Sequence, residues 1–145
     1  MPPQSTKIEI PVLPHVKCLL ISLYGSEPLK VSENNLLGRE FQFIFLNKSS
    51  SQEKINGEKI TIQLSARLTP YFYKFKTAFS LGCYFEKQFH VLLFTHIEAQ
   101  KSCGITPVNS IKNFYLKYSI DENFYTIPCA LEAYRRLKHN YNQAN

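Results

Sequence analysis

The sequence predicts an α+β fold, with about five helices packed around a small antiparallel sheet and closing in a helix-turn-helix-like pair. Three observations carry that expectation. Apolar residues recur at three and four over much of the chain, a few short segments alternate strictly, and no repeat or linker-like stretch divides residues 1–145 into more than one domain. A chain of 145 residues lies near the commonest domain size and can bury one self-sufficient core.

Residues 1–6 are polar and proline-bearing and read as a loose tail. Lys7-Ile8-Glu9-Ile10 then alternates as a strand does, and Pro11 limits that strand or places it at a sheet edge. From Pro14 the spacing of Val16, Leu19, Leu20, Leu23 and Tyr24 is helical. Pro14 suits a first turn, and Gly25 suits a left-handed cap. Leu29-Lys30-Val31 reads as a second short strand.

Ser32 is a candidate N-cap for a helix running to about Leu46, where Leu36, Leu37, Phe41, Ile44 and Phe45 have helical spacing. Phe41, Phe43 and Phe45 also alternate, so strand competes with helix there. The polar, serine-rich run NKSSSQEKING marks a long exposed loop. Ile60, Ile62 and Leu64 give the clearest strand signal, and Lys74 to Phe79 alternates more weakly.

The longest helix is expected over about Leu81 to Lys101, with Tyr84, Phe85, Phe89, Leu92, Leu93, His96 and Ile97 on one face, closed by Cys103-Gly104. Thr106 as N-cap and Pro107 as first helical residue open the next helix, whose Val108, Ile111, Phe114, Tyr115 and Tyr118 share a side. An acidic Asp121-Glu122-Asn123 loop follows. The last helix starts near Thr126, and its Ile127, Leu131, Tyr134, Leu137 and Tyr141 again recur at three and four. Residues 106–141 therefore form the predicted helical pair.

Composition narrows the activities. Lys and Arg outnumber Asp and Glu by 17 to 11, giving a net charge of +6 that attracts polyanions, although the cations are scattered rather than gathered in a tail. The 11 Phe and 9 Tyr, without any Trp, imply a core of large rings. Cys18, Cys83, Cys103 and Cys129 contain no Cys-x-x-Cys pair, so zinc is not expected, and mostly buried reduced thiols are. The opening MPPQSTKIEIP lacks an apolar stretch of signal-peptide length, and the run Phe89–Phe94 is too short to span a bilayer. A cytoplasmic protein without membrane or cofactor is the expectation.

Two segments concentrate cations. On the last helix Arg135, Arg136, Lys138 and His139 fall within about a turn and a half, with Lys112 and Lys117 on the helix before it. They can grip phosphates; equally, cations near a helix C-terminus complement its dipole without any ligand. The residues opening that helix, Ile127, Pro128, Cys129 and Ala130, offer no bidentate contact to bases, which points to phosphate contact rather than base reading. Lys74, Lys76 and Lys87 interleave with Tyr71, Phe72, Tyr73, Phe75 and Tyr84, a pattern that suits a stacking platform for single strands or, alternatively, a core strip with a wet face.

Catalytic signatures are missing from the pattern. His90 and His96 turn to different faces of one helix, no Ser or Cys stands in a nucleophile elbow, and no glycine-rich phosphate loop is present. No enzyme is expected.

The order IEIPVLPHVKCLL, a lone strand, a long aromatic helix and the closing IKNFYLKYSIDENFYTIPCALEAYRR resembles small uncharacterised proteins of bacterial phages and conjugative elements. The helix, Asp121-Glu122 turn and Tyr-Arg-Arg helix are its most specific part. That resemblance implies a mobile-element context in which DNA binding is a common task. The leading expectation is thus a non-enzymatic DNA-binding protein using Arg135, Arg136, Lys138, Lys112, Lys117, Lys74 and Lys76. The alternative is a protein-interaction or assembly module, or homo-oligomer, that docks through an aromatic surface.

Overall fold

Strand β1 (Thr6–Val12) opens the fold with every second side chain turned inward, so that Ile8, Ile10 and Val12 are buried while Lys7 and Glu9 face out. Helix α1 (Pro14–Tyr24) follows after one residue, with Pro14 in its first turn and Gly25 at φ 101° ending it, its N–H bonded to the Ile21 carbonyl. Strand β2 (Leu29–Val31) buries Leu29 and Val31, and strand β3 (Glu58–Leu64) buries Ile60, Ile62 and Leu64. Helices α2 (Ala78–Lys101), α3 (Pro107–Tyr118) and α4 (Ile127–Ala144) complete the elements. This computed structural model describes residues 5–32, 38–39, 58–69 and 78–144.

The sheet order is β1-β3-β2, which puts Pro11 on an edge strand, where its missing N–H breaks no ladder. β1 runs antiparallel to β3 with Ile8 opposite Ile62 and Ile10 opposite Ile60, whereas β2 runs parallel to β3 with Leu29 opposite Ile62. The sheet is therefore mixed, and the all-antiparallel expectation is corrected. Parallel neighbours cannot be joined by a tight hairpin, and residues 32–57 separate β2 from β3 in the chain. Among the described residues there are four helices, not about five. The predicted Ser32–Leu46 helix falls outside the described residues except for Ser32 and the helical pair 38–39. The polar run 47–57 and most of the Lys74–Phe79 strand lie outside them too, while Ala78 and Phe79 are helical and belong to α2.

One face of the sheet carries the apolar set, and α1 and α2 cover it. On α2 the buried residues Leu81, Phe85, Phe89, Leu93 and Ile97 recur every four positions, a ridge that winds gently around the helix. Phe89 is its centre, with ring centroids 5.8 Å from Phe114 of α3, 4.6 Å from His15 of α1 and 5.7 Å from Tyr125. The opposite sheet face is polar and cross-linked, with Lys59 3.7 Å from Glu9 and Gln63 donating to Ser5 at 2.8 Å. Lys17 reaches both Glu27 (3.1 Å) and Glu58 (3.4 Å), tying α1 to the segment before β2 and to the start of β3.

The closing helices form from local signals. Thr106 Oγ1 accepts from the Asn109 N–H at 3.3 Å, and Ser119 at φ 55° ends α3 in the left-handed conformation. Residues 119–126 then separate α3 from α4, twice the three or four of a helix-turn-helix turn. Asp121 Oδ1 accepts from the Asn123 N–H at 2.9 Å, and the Tyr115 hydroxyl donates to the Tyr125 carbonyl at 2.7 Å, so the longer connection is ordered by side chains. The pair is two packed helices with a structured loop, without a helix-turn-helix elbow.

Candidate functional site

The solvent face of α4 follows from its pattern. Ala130 and Tyr134 are buried, Ile127, Leu131 and Leu137 are half-buried, and Glu132, Arg135, Arg136 and His139 are exposed at spacings that bring them to one side. Arg135 has no acidic partner among the described residues. Arg136 lies 3.7 Å from Glu132 one turn back, with three quarters (75%) of its side chain in water, so the pair is weak and open to exchange.

Lys138 points elsewhere. Its ammonium meets Glu98 of α2 at 2.8 Å, and the Tyr134 hydroxyl donates to the same carboxylate at 2.6 Å. Both hydrogen bonds hold the Glu98 carboxyl below its usual range, and the Glu98 contact pushes the Lys138 ammonium up. Lys101 stands close enough to Lys138 for that neighbour to lower its own ammonium. Two cations therefore share one carboxylate. On α3, Lys112 and Lys117 are exposed, Lys117 lying over the Tyr118 ring at 5.3 Å; burial first, and the Lys117 charge second, disfavour protonation of His96. Lys74 and Lys76 lie outside the described residues.

Beside this face α2 and α4 enclose a cleft of about 560 Å³. Glu86, Lys87, His90 and Val91 of α2 form one wall, Ala133, Arg136 and Leu137 of α4 the other, and Tyr125 closes the end. The Tyr125 ring is held from behind. His15 stacks on it at 4.2 Å and 15°, and His90 meets it edge-on at 6.0 Å and 75°. Burial and the positive charge of Arg136 lower the pKa of His90, so at neutral pH its 4.0 Å approach to Glu86 is a polar contact rather than an ion pair. Burial, reinforced by His90, takes His15 down to about 4. Neither ring nitrogen of His15, nor Nδ1 of His90, has a hydrogen-bond partner among the described residues.

Comparison with known proteins finds no matching family model, no matching curated protein and no matching solved structure. No described helix is long and apolar enough to cross a membrane, and no group of three or more potential metal-binding side chains occurs among the described residues. None of the four cysteines is in a disulfide. Only Cys83 is buried, Cys18 is half-buried, and Cys103 and Cys129 are exposed, which corrects the expectation of mostly buried cysteines. Cys103 sits in the turn after α2 and Cys129 on the outer side of α4's first turn, so neither has a layer above it.

Sequence reasoning passed over His15, Glu86 and Tyr125. His15 occupies the buried stripe of α1 with Val16, Leu19 and Leu20, and a histidine at that position of an apolar stripe was the available signal. Glu86 and Tyr125 carried none, because their meeting depends on how α2 and the 119–126 loop pack.

Proposed function

We propose that the chain is a non-enzymatic nucleic-acid-binding protein that grips the phosphate backbone through the outer face of α4, in the cytoplasmic setting of a mobile element. The observation that supports this most is the cluster of Arg135, Arg136 and His139 on one exposed helix side, where Arg135 is unpaired by any described acid and Arg136 is only loosely held. Exposed Lys112 and Lys117 on α3 add to the field, and the net charge of +6 has the right sign. Lys138 contributes less than its sequence position implies, because a phosphate must compete with Glu98 for it. Contacts of this kind position a protein without reading sequence.

Fluorescence anisotropy with labelled duplex and single-stranded DNA tests the reading. Binding at low salt is expected, weakening steeply as salt rises, with the log–log slope reduced by about one for each phosphate-gripping arginine removed. Failure of the protein to bind either form at low salt would eliminate it.

A further inference from the structure

The connection from α3 to α4 packs against α1 through a buried imidazole. His15, only 5% exposed, lies between the edge-on ring of Phe89 at 4.6 Å and the stacked ring of Tyr125 at 4.2 Å, and neither of its ring nitrogens has a hydrogen-bond partner among the described residues. A phenylalanine would fill this place without leaving an N–H unmatched. What imidazole adds is the capacity to take up a proton in mild acid.

The closed form has no place for that proton. As the second residue of α1, His15 meets the positive end of its own helix, and attraction of a cation for the Tyr125 face supplies no acceptor for either N–H. From α2 the charge that acts on it is His90, a like charge when protonated; Glu86, 4.0 Å from His90, answers a proton there, and Arg136 of α4 opposes one. Other charges near α1 are engaged: Lys17 holds Glu27 and Glu58, and Asp121 of the connection stands by Cys18. Relief must therefore come from movement. α1 is fixed by buried Val16, Leu19 and Leu20, whereas Tyr125 is half-buried in a connection whose residues 121–124 are all exposed. We propose that His15 is an acid-sensitive latch: neutral, it holds Tyr125 and the 119–126 connection against α1 and α2, and on taking a proton it lets that connection and the first turn of α4 open while the sheet stays paired. The Glu98 contacts to Tyr134 and Lys138 keep the rest of α4 on α2.

Amide hydrogen exchange of the full chain at pH 7 and pH 5, corrected for the intrinsic rate at each pH, tests the latch. The amides of Ile120, Phe124 and Ala130, bonded to the carbonyls of Tyr115, Asp121 and Thr126, report the connection, and those of β3, the central strand, report the sheet. The connection is expected to be less protected than β3 at both pH values. Its opening should rise about twentyfold from pH 7 to pH 5, the gain for a group that titrates at about 4 when closed and at 6.5 when open. His15→Phe should remove most of that rise, and His90→Gln should keep most of it. A rise that persists in His15→Phe overturns the proposal, as do connection amides that exchange at the β3 rate at both pH values, which leave global unfolding as the only opening. The parent alone gives a further check that no folding defect can cloud: the His15 ring proton, followed by NMR, should titrate well below pH 6.5, and a midpoint near 6.5 overturns the latch whatever the variants do.

Discussion

The two flanks of the α2–α4 contact are built from similar residues and reach opposite states. On one flank Glu98, Tyr134 and Lys138 satisfy one another within 2.8 Å and pin the helices together. On the other, Glu86, His90, Tyr125 and Arg136 stand around an open cleft, where His90 approaches Glu86 only to 4.0 Å and its Nδ1 has no hydrogen-bond partner among the described residues. A side chain that finds a partner across a helix interface becomes part of the structure; one that does not remains available to a ligand. Two cations three positions apart on one helix, Arg135 and Lys138, differ in this way.

The comparison breaks most completely at its shared base. Phe89 is fully buried beneath both flanks, and Phe89→Ala should cost about 3–5 kcal/mol in urea unfolding and abolish the distinction between them. Acid should next single out the open flank. His15 titrates at about 4 in the fold against 6.5 when unfolded, so below pH 6.5 the unfolded chain takes up the proton first. Stability is then level above pH 6.5 and declines towards pH 4 by up to about 3 kcal/mol, with lowered His90 and His96 acting in the same direction. His15→Phe keeps the stack on Tyr125 and should flatten most of that decline in denaturation series at pH 7 and pH 4.5.

The closed flank answers to a smaller change. Tyr134→Phe removes one hydrogen bond to Glu98 and should lower stability by about 1 kcal/mol, measured at neutral pH. The smallest effect concerns binding alone. Lys138→Ala should leave the salt dependence of DNA binding closer to the parent than Arg135→Ala does, and the reverse order in a salt titration would show that the Glu98 contact yields readily to phosphate.

Most of the local architecture was legible. Ile60, Ile62 and Leu64 announced β3 by alternation, Thr106-Pro107 announced the start of α3, and Gly25 the end of α1, because strand faces and helix caps depend on residues within a turn of one another. The parallel pairing of β2 was not legible, since three residues carry no direction of their own and the choice is made by β3, far along the chain. Leu23 has helical spacing with the α1 core yet is 40% exposed, since spacing places a residue on a face without deciding whether another element covers it.

Of the candidate site, sequence by itself determined the kind of charge and the helix that carries it: a basic α4 with Arg135, Arg136 and His139 on its wet side, which follows from helical periodicity alone. Tertiary structure alone decided which cations remain open and where a cavity lies. Lys138 is turned inward by Glu98, a residue forty positions away, and the cleft exists because Tyr125 from a loop closes the gap between two helices. Such outcomes depend on distances between separate elements, and spacing along one element holds no information about them.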